Sequence, residues 1–152
     1  MKYLILLTIL CLIACEQKKT KAPENTPTVI NDTIPETRRT VSKAPVTVYS
    51  EKVKDPLNDW KFAVELFETP ATFKFLMAIE YEATNVTDTI TIPNFGILPK
   101  LEIQQGEEPL SCIVGFYDKK GQFMPYKQVS VQGKQLKIAT VQHYARTRFR
   151  TK

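Results

Sequence analysis

Apolar residues recur at every second position through much of the chain after residue 46. In "WKFAVEL" they are Trp60, Phe62, Val64 and Leu66; in "FKFLMAIEYEA" they are Phe73, Phe75, Met77, Ile79, Tyr81 and Ala83. A period of two places successive side chains on opposite faces of a strand, so each run presents one apolar face, with Trp60 read as core filler. The other face of the second run, Lys74, Leu76, Ala78, Glu80 and Glu82, is apolar only in its middle. That pattern predicts an eleven-residue strand half covered by a second layer. Turn chemistry then breaks the chain at short intervals. "TNVTD" reads as a turn, "TITIP" as a short strand stopped by Pro93, "NFG" as a turn, and "LPKLEIQQG" as an edge strand carrying a proline. After "GEEP" come the apolar run Leu110 to Tyr117, the hairpin residues "DKKGQ", and two strands joined around Gly133 in "YKQVSVQGKQLKIATV". "QHYARTRFR" reads as the last strand. Helical periodicity is confined to one possible turn at Pro56. Seven to nine strands in the 107 residues from Val46 to Lys152 predict one all-β domain, an antiparallel β-sandwich, with a small closed barrel as the rival architecture.

The first 45 residues follow other rules. From Leu4 to Ala14 every residue but Thr8 is apolar, behind the positive Lys2. The run has the length of a signal-peptide core and falls short of the roughly 20 residues that a membrane-spanning helix needs. Residues 16–45 hold four prolines, six threonines, ten charged residues and no aromatic residue. Such a composition does not bury enough apolar area to offset its ordering entropy, so it reads as a disordered linker. At full stretch thirty residues reach on the order of 100 Å.

The tetrapeptide Leu12-Ile13-Ala14-Cys15 resembles the lipobox of bacterial lipoproteins. That resemblance implies cleavage before Cys15, loss of Cys11 with the signal, and a diacylglyceryl group on the Cys15 sulfur. Several acyl chains, at about 0.8 kcal/mol per buried methylene, hold a protein on a bilayer where a single chain binds only marginally. The domain expectations are therefore a signal peptide over 1–14, a lipidated cysteine and tether over 15–45, and a sandwich over 46–152. The expected location is a bacterial membrane, the outer membrane by preference, on its periplasmic or surface side. A second resemblance concerns Asp32-Thr33-Ile34 and Asp88-Thr89-Ile90, which are similar to the Asp-Ser/Thr-apolar motif of protein O-glycosylation in Bacteroidetes and imply acceptors at Thr33 and Thr89. A third is carried by "FKFLMAIEYEATNVTDTITIP", which resembles the B-to-C region of immunoglobulin-like and transthyretin-like envelope domains. The cysteine pair of true immunoglobulin domains is missing.

Candidate chemistry is sparse. With Cys15 lipidated, Cys112 is the one free thiol left after processing, so the mature chain makes no internal disulfide; its place in "LSCIVGFY" suits a small buried hydrophobe, with a reactive thiol as the alternative. His143 is the single histidine, and no metal-ligand, nucleophile-elbow or phosphate-loop motif occurs. Glu80 and Glu82, on one strand face, and the loop pair Glu107-Glu108 read as solvated. No catalytic residue, cofactor or metal is expected. The net charge of +5 gains local meaning at the C-terminus: residues 46–152 carry +2, and Arg146, Arg148, Arg150 and Lys152 alone carry +4. In a strand those four cations share one face, either as protection of an edge or as a docking stripe for an acidic envelope protein or an anionic polymer. With little aromatic interleaving, nucleic acid is not an expected partner. The functional expectation is a non-enzymatic binding or assembly module of the cell envelope. It is similar in architecture to small outer-membrane lipoproteins of secretion machines such as the type VI secretion lipoprotein. The alternative is a small-ligand module, or a protease inhibitor using Phe95, Ile97 and Leu98 of "IPNFGILPK".

Overall fold

A computed structural model describes residues 34–144. Eight strands form two antiparallel sheets of four, each a meander of consecutive strands. The first sheet holds β1 (Thr47–Lys52), β2 (Lys61–Glu68), β3 (Lys74–Tyr81) and β4 (Thr84–Thr91); the second holds β5 (Leu101–Gln105), β6 (Ser111–Tyr117), β7 (Phe123–Gln132) and β8 (Gln135–Thr140). The sheets are not closed into a barrel, and no helix occurs among the described residues. The sandwich read from the alternation is thus the fold. Its connectivity differs from the immunoglobulin order, which draws each sheet from non-consecutive strands.

The period of two becomes the core through register. Phe62 faces Tyr81, Val64 faces Ile79 and Leu66 faces Met77 across β2 and β3. Phe75 faces Ile90 across β3 and β4. These side chains pack in one cluster with Ile103, Cys112, Val114, Phe116 and Val129 of the other sheet. Trp60 is partly buried against that cluster. Fully burying a side chain of this size contributes roughly 1.5–3 kcal/mol, so the interior is the main stabilising term.

Several boundaries differ from the sequence reading. The eleven-residue strand ends at Tyr81, because Glu82 turns the chain with φ 52° and Tyr81 pairs with Thr84. "TNVTD" is therefore strand rather than turn; its threonines lie on the pleat, where β-branched residues fit well. β1 went unread because its inward residues, Thr47, Tyr49 and Glu51, are mostly polar. Pro56 starts no helical turn; instead Asp55 Oδ1 accepts the amides of Leu57 and Asn58. Pro125 lies inside the central strand β7, where it is tolerated because the register slips beside Gly115 and leaves Tyr126 as the extra residue of a bulge. Residues 142–144 are not strand, and the remainder of the expected last strand lies outside the described residues. Within the stretch read as tether, residues 35–38 bond to the loop between β2 and β3, and the Ser42 amide bonds to Glu68 of β2.

Gly115 sits where the Phe123 ring crosses the backbone. A Cβ there would lie 2.4 Å from the Met124 carbonyl oxygen and 2.5 Å from Phe123 Cζ. Gly115→Ala is expected to lower stability by roughly 2–3 kcal/mol, read from the urea midpoint. An unchanged midpoint would show that β7 shifts freely at its bulge.

Candidate functional site

One end of the sandwich gathers the segment before β1, the loop after β4 and the segment after β8. At that end β2 finishes at Glu68, β3 begins at Lys74 and β4 finishes at Thr91. The chain comes in beside them. Thr37 forms an isolated antiparallel bridge with Ala71. The Arg38 amide donates to the Pro70 carbonyl (2.8 Å), and the Thr72 amide donates to the Glu36 carbonyl (2.9 Å). The buried Thr72 hydroxyl donates to the Pro35 carbonyl at 2.6 Å.

Arg38 is the centre of this contact. Its guanidinium donates to the carbonyls of Thr69 (2.8 Å) and Ala71 (2.6 Å), pairs with Glu68 at 3.2 Å, and lies 4.7 Å from the centre of the Phe75 ring. A planar fork with several donors can serve carbonyl, carboxylate and ring face together; an ammonium cannot. The Arg38 side chain is 12% exposed and that of Glu68 24%, so the pair is shielded more than a surface pair. Composition alone hid this arginine, because it sits in a run that is otherwise polar and proline-rich.

The chain leaves at the same end. The loop after β4 stacks Phe95 on Phe116 with ring centres 5.9 Å apart. Tyr144 meets Phe116 edge-on at 5.1 Å, and its hydroxyl donates to the Pro125 carbonyl at 2.8 Å. Asn94 reaches Glu36 at 3.4 Å and ties this loop to the incoming segment. Of the apolar trio expected to insert into a protease, Phe95 and Ile97 are half-buried and only Leu98, at 68% exposure, is offered to solvent.

Ionisable groups also close the long sides of the sandwich. On one side, Glu51 of β1 accepts the Tyr49 hydroxyl (3.1 Å) and the amide of Leu110 (3.0 Å), a residue held at φ 53°. Burial, aided by the Glu51 hydrogen bond, pushes the Tyr49 phenol up to about 12. On the other side, Lys127 of β7 pairs with Asp88 of β4. The bond from Ile92 N–H to the Phe73 carbonyl fixes the parity of the β3–β4 ladder. Even-numbered residues of β4 therefore bond to β3, and the backbone groups of Asn85, Thr87 and Thr89 point out of the sheet edge. Asp88 Oδ1 accepts the Thr89 amide at 2.6 Å, and Lys127 Nζ lies 3.4 Å from the Thr89 carbonyl. The ion pair thus caps an edge strand by occupying its free backbone groups.

The other candidates separate. Cys112 is fully buried, and burial pushes its thiol up to about 12, which suits the small-hydrophobe reading. Glu80 pairs with Lys61 at 2.9 Å, while Glu82 lies in the turn, so the two do not form a carboxylate pair on one strand. His143 is exposed. Among the described residues no three His, Cys, Asp or Glu side chains are grouped to hold a metal ion. Thr89 is exposed on β4 beside the engaged Asp88. Cys15, Thr33, Arg146, Arg148, Arg150 and Lys152 lie outside the described residues. Compared with protein-family models, curated proteins and solved structures, the chain matches none.

The Lys127 hydrogen bond, with help from the Thr89 amide, holds the Asp88 carboxyl below its ordinary range against partial burial. A depressed folded-state value stabilises the fold above the unfolded carboxylate pKa, and that contribution is lost as pH falls through the lowered folded value. Asp88→Asn is expected to flatten the acid limb of stability against pH, measured by urea unfolding between neutral pH and acid. A limb identical to wild type would remove Asp88 from the account.

Proposed function

We propose that this protein is a membrane-anchored lipoprotein, held through Cys15, that acts as a non-enzymatic binding or assembly module of the bacterial cell envelope. The observation that carries this reading is the placement of both ends of the described segment at one end of the sandwich. Residues 35–42 dock beside β2 and β3, and Tyr144 docks beside Phe116; the loop after β4 bonds to Glu36 through Asn94 and stacks Phe95 on the same Phe116. In sequence, the expected tether precedes Ile34 and the four cations Arg146, Arg148, Arg150 and Lys152 follow Tyr144. In this reading the cations take carboxylate or phosphate of an acidic envelope protein or an anionic polymer through forked guanidinium bonds. Thr33 and Thr89 are proposed as O-glycan acceptors, Thr33 on the tether and Thr89 on the exposed face of β4.

Crosslinking and capture from native membranes tests the stripe. One envelope partner is expected with the wild type and is lost when Arg146, Arg148 and Arg150 are all changed to Ser. Capture of the same partner by both proteins would reassign the arginines to edge protection. Metabolic labelling with palmitate tests the anchor: label is expected in the wild type and absent from Cys15→Ser, whereas equal labelling would place the lipid elsewhere. Peptide masses from the native host at the unmodified values would dispose of the glycan acceptors.

A further inference from the structure

The segment before β1 is attached in an unusual way. Of residues 34–45 only Ile34 and Arg38 are partly buried; the other ten are exposed. The segment therefore adds little apolar burial. Its attachment consists of the Thr37–Ala71 bridge, the Thr72 hydroxyl bond, the Asn94 bond to Glu36 (3.4 Å), the Ser42 amide bond to Glu68 (3.0 Å), and the Arg38 cluster. The core beneath it is built without it: Phe75 pairs with Ile90 and packs with both sheets. An element with few apolar contacts and solvent-facing backbone bonds opens at a lower free energy than the core it lies on.

We propose that residues 34–45 form a releasable strap, latched by Arg38, which gives the linker between the membrane anchor and the sandwich two working lengths. This rests on the reading of Cys15 as the lipid anchor. With the strap docked, the linker is 15–33; with the strap released, it is 15–45. Twelve more residues add about 40 Å to the maximum reach. For coil statistics the mean span rises from about 25 Å to about 30 Å. The strap's side-chain contacts from Arg38 to Ser42 share one centre, so they release together. Glu68 holds Arg38 and the Ser42 amide, and Arg38 in turn holds the Thr69 and Ala71 carbonyls that shape the loop. A pull on the tether reaches the Pro35 and Glu36 bonds first and the Arg38 cluster next. The pull passes through the latch into the β2–β3 loop, and the latch opens before the core does.

Residue-resolved hydrogen exchange on the full chain tests the strap. The amides of residue 38 and Thr72 are expected to exchange together, faster than the amides of β2 and β3. In Arg38→Ala both are expected to speed up by on the order of ten- to a hundredfold, with the β2–β3 core unchanged. Arg38→Lys, which keeps the charge and loses the fork, falls between. Exchange of Thr72 at the core rate in the wild type would overturn the proposal, as would an equal acceleration of core and strap in Arg38→Ala. An unprotected Thr72 in the wild type would overturn it too, since nothing would then be latched. Neutron reflectometry of the lipidated chain on a phosphatidylethanolamine–phosphatidylglycerol bilayer reads the linker. The sandwich layer is expected several Å farther out in Arg38→Ala, and equal heights would overturn the two-length role. A chain that does not bind the bilayer would overturn the anchor reading and the linker role with it, while the exchange pattern still decides whether the strap opens.

Discussion

Two meanders with one apolar face each leave this chain a single solution: the faces must cover each other. Phe62, Val64 and Leu66 stand opposite Tyr81, Ile79 and Met77 within one sheet, and they share a core with Val114, Phe116 and Val129 of the other. A shift of one residue in any of these strands would turn its apolar set to solvent. The devices at the margins follow from this burial. Two stacked sheets have four free edges and two open ends, and each exposes backbone groups or core side chains that water or another strand can reach.

The margins are closed by ionisable side chains that take backbone groups as partners. Glu51 receives the Leu110 amide between β1 and the start of β6. Asp88 and Lys127 serve the Thr89 amide and carbonyl on β4. Arg38 takes the Thr69 and Ala71 carbonyls at the end where the chain enters. In each case a charge is held by hydrogen bonds to backbone groups, and on the edge strand β4 the same bonds occupy groups that would otherwise template another strand. An exposed ion pair contributes little to stability; one that also caps backbone groups acts on specificity as well.

The core strands were legible because their signal is local. A run such as Phe73-Lys74-Phe75-Leu76-Met77 states its own period, and Gly133 and the Asp118 to Gln122 segment mark their own turns. The turn at Glu82 was not legible, since a glutamate at positive φ carries no turn signature and the threonines after it mimic a loop. β1 was hidden by its polar inward residues. Arg38 shows the limit most clearly. Nothing in "ETRRTV" separates Arg38 from Arg39, yet the first is clamped by Glu68 and the Phe75 ring while the second is exposed. Partners 30 or more positions away decide the difference, and composition averages over them. The margin contacts of Asp88 and Lys127 are likewise legible only once the two sheets are stacked.

Length and attachment join the margins to the proposed role. A module on a lipid tether must meet a partner at a distance set by the linker, and the linker's mechanical end is wherever the chain first becomes fixed to the fold. Among the described residues the chain bonds to the fold from Pro35 to Arg38 onward, ahead of Val46. The contact is polar and centred on one residue, whereas the sandwich below is apolar and cooperative. Polar contacts made by one side chain can be given up together at modest free-energy cost, while a packed core resists until it fails as a whole. In the proposed arrangement, tension along the tether would meet a weak element in series with a strong one. The weak element would give first, and the sandwich would keep its shape.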